Sequence, residues 1–271
     1  MAGRIPQQIA RETRRSVLAN GGRMLETPFI ESIFNYCNRR CERCAFTERC
    51  LLYDDLREYE QRHPEHGALG QTHDKFQECF RLLERWCERE GIDFAALERE
   101  ARSEQAAADM KRLEDAARAD PLQQLATAYT HAAFKLVDAL SAARTLRAWP
   151  RNVGEAIDTI AWNAGMVSSK VHRALHGRAE ERDIQQEEAE EDLVQNDWNG
   201  SAKVARLIIA ESRDAWGVVM QAGGAASDSP LTEIVTLLDR IDRGIAERFP
   251  RAMEFLRPGF DEPCGISVPS E

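Results

Sequence analysis

The sequence lacks the long apolar runs and the β-branched runs that would indicate a membrane protein or a β-sheet protein. No stretch approaches the length of a membrane span, and the start of the chain has no apolar core of the kind found in signal peptides. Aromatic residues make up only 7% of the chain, and 36 basic residues face 46 acidic ones. We therefore expect a cytoplasmic protein without a membrane segment. The net charge of −10 also disfavours a nucleic-acid partner.

Helix-favouring residues dominate what is present. Alanine, leucine, glutamate and arginine are abundant, and the overall content of 43% apolar and 30% charged residues is typical of a globular protein. A chain of 271 residues is long enough for one large domain or two modest ones. The composition therefore predicts an all-α fold.

The C-terminal half carries four apolar stripes, each of which repeats every three or four residues and predicts one long helix. The stripes begin at Leu122, Val153, Val204 and Leu231. The predicted breaks are Trp149-Pro150, Gly177, the Asn199-Gly200-Ser201 turn and Gly223-Gly224. Four single-stripe helices pack most simply as an antiparallel four-helix-type bundle, which we predict over residues 119–249.

The rest of the chain divides into three predicted segments: a flexible basic arm (1–27), a helical cysteine-cluster region (28–118) and an irregular tail (250–271). Within the second segment we expect four helices. They start at Pro28, Leu51, Gln71 and a cap at Asp93, and the last runs to Arg118. Residues 179–192 hold eight acids and one arginine, a charge run typical of a solvated face.

Four of the seven cysteines lie within fourteen residues, and this cluster is the strongest chemical signal in the sequence. Cys37, Cys41, Cys44 and Cys50 have the spacing C-x3-C-x2-C-x5-C. Clustered thiolates in a reducing compartment are typical ligands of iron–sulfur clusters or zinc. If residues 37–44 are helical, the first three cysteines share about 60° of the helix circumference, and a turn must then bring Cys50 to them.

Four arginines interleave with the cysteines: Arg39, Arg40, Arg43 and Arg49. Their positive charge would offset the negative charge of a thiolate-bound metal.

The spacing of the last three cysteines resembles a known iron–sulfur loop. In the endonuclease III group of DNA glycosylases these ligands follow C-x2-C-x5-C, which Cys41, Cys44 and Cys50 match. The family places six residues before this triplet, where Cys37 leaves three. The C-x3-C-x2-C part also resembles the radical SAM signature, but that family has a β/α architecture. The resemblance covers fourteen residues and implies a [4Fe–4S] ligand set, not a DNA-repair activity.

Zinc is the alternative metal, although structural zinc usually uses two cysteine pairs with a longer spacer. Thiols without a metal, acting as redox switches, are a third interpretation. An iron–sulfur cluster would have a structural role, or it would transfer electrons to a redox partner. Zinc would instead stabilise the fold of a protein that binds a protein partner without catalysis. Further ligand candidates are Cys79, Cys87, His63, His66 and His73. Helix cysteines are more often packed in a core, and loop histidines are more often surface residues.

A third function hypothesis places a small-molecule pocket among the C-terminal helices. Polar residues that could face inward are Asp138, Glu155, Asp158, His172 and Glu211, with Trp162 and Lys170 beside His172 as substrate contacts. Di-iron bundles carry Glu-x-x-His motifs on two helices, and these helices carry none. The sequence identifies no catalytic set, so whether the chain is an enzyme stays open.

Overall fold

The computed structural model describes residues 29–62, 84, 87–88, 91–144, 149–184, 194–223 and 230–261. These residues contain seven α-helices and no β-strand, which confirms the predicted all-α fold. The helices are α1 (Leu51–Arg62), α2 (Phe94–Ala101), α3 (Glu104–Ala119), α4 (Pro121–Arg144), α5 (Arg151–Ile184), α6 (Asp197–Gly223) and α7 (Pro230–Arg248). Four short 3-10 turns are Ile33–Asn35, Cys41–Arg43, Thr47–Arg49 and Ala252–Glu254. None of the described helices is both long and apolar enough to cross a membrane.

The described residues form two compact units. The first unit comprises the described parts of Met1–Phe34 and Arg40–Arg112. The second comprises those of Asn35–Arg39 and Leu113–Glu271. The five residues Asn35–Arg39 therefore pack with the C-terminal helices, although they lie within the N-terminal part of the sequence.

The second unit is built on the four long helices that the apolar stripes predicted. Helix α5 packs against α4 and α6, and α7 also packs against α4 and α6. The largest fully buried side chains are those of Trp216, Tyr129, Leu122, Ile160, Ile209, Ile234, Leu238, Ile241, Ile245, Val153 and Val167. Each such aliphatic side chain contributes about 1.5–3 kcal/mol when it is removed from water. The existence of the four helices is confirmed, and their antiparallel bundle arrangement stays a prediction.

A polar network fixes the segment that follows α7. Lys203 of α6 is buried and donates to the carbonyl oxygen of Phe255 at 2.6 Å. Its Nζ also pairs with Oδ2 of Asp261 at 2.7 Å, and Arg257 pairs with Oδ1 of the same carboxylate at 2.8 Å. Although burial alone would raise it, the pKa of Asp261 is held well below its usual range by the hydrogen bonds from Arg257 and Lys203. The chain after α7 is thus tied to α6 as far as residue 261.

Two predicted breaks in the second unit are wrong. Helix α5 does not end at Gly177 but continues to Ile184, and Arg178 donates to the carbonyl oxygen of Arg248. Interior glycine costs a helix only about 1 kcal/mol, which such tertiary contacts outweigh. Helix α6 begins before the predicted Asn199-Gly200-Ser201 turn. Oδ1 of Asn196 accepts a hydrogen bond of 2.9 Å from the backbone N–H of Asn199 and thereby caps the helix.

Two predicted helices in the cysteine-cluster region are also corrected. From Pro28 the described chain forms only the 3-10 turn Ile33–Asn35. The helix capped by Asp93, whose carboxylate accepts the N–H of Ala96 at 3.0 Å, is not continuous to Arg118. It is interrupted before α3 because Ser103 caps the new helix through the N–H of Ala106 at 3.1 Å.

Other predicted features lie largely outside the described residues. The helix expected over Gln71–Glu90 is described only at Glu84, Cys87 and Glu88, which are helical. The basic arm lies outside as well, as do residues 262–271 of the tail and the acidic run beyond Ile184. The expected helix from Leu51 is α1, and its bounds agree with the sequence pattern.

Candidate metal centre

Residues 37–44 are not one helix, so the condition under which Cys37, Cys41 and Cys44 would share a helical face is not met. Cys41 opens the 3-10 turn Cys41–Arg43, and Cys44 follows it in extended conformation with φ −88° and ψ 129°. Cys37 and the residues up to Arg40 are non-helical. The physical reason is Arg39, whose φ of 58° lies in the left-handed region that a right-handed helix excludes.

The turn that the spacing required between Cys44 and Cys50 is present. It contains the 3-10 turn Thr47–Arg49, after which Cys50 is extended with φ −111° and ψ 107°. The N–H of Cys50 donates to the carbonyl oxygen of Thr47 at 3.3 Å, as the N–H of Cys44 donates to that of Cys41 at 3.1 Å. Cys44 and Cys50 therefore occupy equivalent positions, each directly after a single 3-10 turn.

Two of the thiols accept backbone hydrogen bonds from the second residue after them. The N–H of Arg39 lies 3.4 Å from Sγ of Cys37, and the N–H of Phe46 lies 3.4 Å from Sγ of Cys44. Backbone donors aimed at sulfur stabilise negative charge on it and are among the groups that tune protein-bound clusters. The local backbone thus places one N–H donor beside each of these two sulfur atoms.

All four clustered cysteines are partly exposed thiols outside any disulfide. Cys87, by contrast, is fully buried, and burial raises the pKa of its thiol. That position matches the core-packing interpretation of the helix cysteines. Cys79, His63, His66 and His73 lie outside the described residues.

The arginines beside the cysteines differ in their surroundings. Arg40 is buried, and its Nε donates to Oε1 of Glu42 at 3.1 Å. A hydrogen bond from the backbone and this contact with Arg40 lower the pKa of Glu42, so the carboxylate stays ionised next to Cys41. Arg43 and Arg49 are exposed.

The structure divides the predicted ligand set between the two units. Cys37 belongs to the second unit, whereas Cys41, Cys44 and Cys50 belong to the first. Within the part of the chain that is described, no three His, Cys, Asp or Glu side chains converge as a ready set of metal ligands.

The segment around Cys37 is held by side chains of α5. Nζ of Lys170 donates to the carbonyl oxygen of Asn35, and Nε1 of Trp162 donates to that of Asn38, both at 2.7 Å. Lys170 is buried, and this burial, with the neighbouring Arg173, lowers its pKa to about 8. The two residues proposed as substrate contacts therefore bind the backbone on either side of Cys37.

Tyr36 provides the apolar anchor of the same segment. Its hydroxyl donates to Oδ1 of Asp197 at 3.1 Å, and Arg173 binds both oxygens of that carboxylate at 2.8 Å. The ring of Tyr36 packs on Phe255 with 4.6 Å between ring centroids. Sequence reasoning missed Tyr36 and Asp197, since no periodicity or spacing links residues so far apart in the chain.

Three of the polar residues expected to face the bundle interior do not. Asp138, Glu155 and Asp158 are exposed, and their helices turn apolar faces to the core instead. Glu211 accepts from Nδ2 of Asn163 at 3.1 Å. The five candidates are thus not brought together, and the di-iron pattern stays disfavoured.

His172 lies in a polar groove of about 800 Å³ between α3, α4 and α5, and neither Trp162 nor Lys170 is among the residues that line it. Its Nε2 is 2.8 Å from Oε2 of Glu114, whose other oxygen accepts from Nε of Arg118 at 2.7 Å. Gln123 and Ser168 also line this groove and are joined by a hydrogen bond of 2.9 Å. The groove bears on the enzyme hypothesis because it supplies a histidine–carboxylate pair.

Comparison with protein-family models, with curated proteins and with solved structures gives no match to this chain.

Proposed function

We propose that this chain is a metal-binding helical protein whose Cys37, Cys41, Cys44 and Cys50 hold a [4Fe–4S] cluster. The observation that carries the proposal is the pair of backbone N–H donors aimed at sulfur, at Cys37 and Cys44, within a compact four-cysteine motif. Such donors are a recurrent feature of thiolates that bind clusters. When bound, the cluster would supply either a structural link or a site for one-electron transfer to a redox partner.

The surroundings of the thiols support the same proposal. The four cysteines are partly exposed and lie in short turns or extended residues, not inside an α-helix. Partial exposure leaves these thiols accessible to a metal, in contrast to the buried Cys87. Because metal binding is coupled to folding, a bound metal would itself hold ligands in short turns together.

Zinc held by the same four cysteines is the alternative. A tetrahedral tetrathiolate zinc would serve as a structural staple in an interaction protein without catalysis. The two metals differ in composition and colour, so one preparation separates them.

The deciding experiment is purification without air, followed by determination of iron, sulfide and zinc per chain. Iron and sulfide in a brown protein are the expected result. A colourless protein with one zinc per chain would replace the cluster by zinc, and a protein that takes up neither metal on reconstitution would overturn metal binding.

The ligand assignment is tested by Cys44→Ser, with Cys264→Ser as the matched control. Serine removes one soft ligand, so we expect Cys44→Ser to lose most of its metal and Cys264→Ser to retain it. Equal metal content in both variants would show that Cys44 is not a ligand.

A further inference from the structure

We infer that Trp162 and Lys170 are positioning residues for Cys37. They bind the two carbonyl groups that flank it and fix the short segment from which its thiol reaches the metal. This inference rests on the proposed function and adds to it: one ligand of the metal is positioned by the long helix α5.

The two contacts span the segment from end to end. Trp162 and Lys170 are eight residues apart, so they lie about 12 Å apart along the helix axis. The segment from Asn35 to Asn38 covers at most about 11 Å when extended. Its two carbonyl oxygens meet the two donors at 2.7 Å each. The segment therefore lies along α5, with Cys37 between the two points of attachment.

The backbone after Cys37 is one that would not persist without such support. Arg39 has a φ of 58°, which lies in the left-handed region that residues other than glycine rarely adopt. In this conformation its N–H lies 3.4 Å from Sγ of Cys37. Strained backbone of this kind is kept only where neighbouring contacts determine it, and it is concentrated at functional sites. The contact of Trp162 with the adjacent Asn38 supplies that constraint.

Lys170 adds charge as well as a donor. It is 6% exposed, and it donates to a neutral carbonyl although a carboxylate, Asp197, lies near enough to affect its pKa. A buried ammonium group is costly unless it is hydrogen-bonded, so the contact with the carbonyl group of Asn35 holds Lys170 and the segment together.

Attachment of the segment does not depend on these two residues alone. The ring of Tyr36 packs on Phe255, and this contact involves neither Trp162 nor Lys170. We therefore expect variants at the two positions to fold with the segment still docked, but with its carbonyl groups released.

The test uses Trp162→Phe, which keeps an aromatic ring and removes only the Nε1 donor, and Lys170→Met, which keeps a chain of similar length without the charge. Lys135→Met, at an exposed position of α4, is the control for loss of a lysine. The metal-loaded full-length proteins are mixed with excess chelator, and the rate of metal release is followed. Amide hydrogen exchange of residues 35–39 and thermal unfolding are measured on the same samples.

Trp162→Phe should release metal about two- to tenfold faster than wild type, the effect of one neutral hydrogen bond. Lys170→Met should release it about ten- to a hundredfold faster, because a charge-assisted bond is lost. Amides of residues 35–39 should exchange faster in both, and Lys135→Met should match wild type. Release at the wild-type rate in both variants would overturn the inference alone. A wild-type protein that binds no metal would overturn the proposed function as well.

Discussion

Replacing Gly200 by alanine tests how the segment that carries Cys37 is seated. Gly200 lies in the first turns of α6, and a Cβ there would lie 2.4 Å from Cε1 and 2.6 Å from Cδ1 of Tyr36. It would also lie 2.8 Å from Cζ of Phe255. The Tyr36 ring cannot simply rotate away, because its hydroxyl binds Asp197 and its face packs on Phe255.

The expected magnitude follows from two opposing effects. Alanine is favoured over glycine in a helix by about 1 kcal/mol. Overpacking in a well-filled site costs about 1–3 kcal/mol, and three contacts under 3.0 Å against two aromatic rings place Gly200→Ala at the upper end. The free energy of unfolding should therefore fall by about 2 kcal/mol, which corresponds to a loss of about 4–8 °C in Tm for a unit of this size.

The assay is thermal and urea unfolding followed by circular dichroism, with Gly217→Ala in the same helix as the control. A Cβ at Gly217 meets nothing within 4 Å, so that variant should be as stable as wild type or more stable by up to about 1 kcal/mol. In a Tyr36→Ala background, Gly200→Ala should lose most of its cost. If Gly200→Ala and Gly217→Ala unfold at the same temperature, the close packing of Tyr36 on α6 is refuted.

Two further variants probe polar contacts of the second unit. Asp261→Asn should lower the free energy of unfolding by about 1–3 kcal/mol at neutral pH, because Lys203 loses an ion pair at 2.7 Å. Folding lowers the pKa of Asp261, so the stability difference between wild type and Asp261→Asn should shrink as the pH falls below about 4. A difference in urea titrations that does not change with pH would contradict the ion pair. Hydrogen bonds from Arg118 and His172 lower the pKa of Glu114, so His172→Phe should raise it. An unchanged titration of the Glu114 carboxyl group by NMR would show that the His172 contact is absent in solution.

The fold of the second unit was largely predictable because its helices bury one apolar stripe each. Val153, Ile160 and Val167 recur at helical spacing, and all three are buried as their pattern predicts. The two helix breaks that were wrongly predicted in this unit both lie at glycines. Gly177 and Gly200 predict breaks from local propensity alone, yet tertiary packing keeps both inside helices. A single sequence does not show those contacts, so it cannot show when they outweigh a weak helix former.

The backbone of the cysteine motif was also not predictable, because it too depends on tertiary contacts. A regular helix over residues 37–44 would have placed Cys37, Cys41 and Cys44 on one face. Arg39 instead takes a left-handed conformation, which its residue type disfavours. Trp162, more than a hundred residues away, binds the carbonyl group next to it. The candidate ligands could therefore be identified from the sequence by residue type, but the backbone around Cys37 could not, since α5 binds it at Asn35 and Asn38.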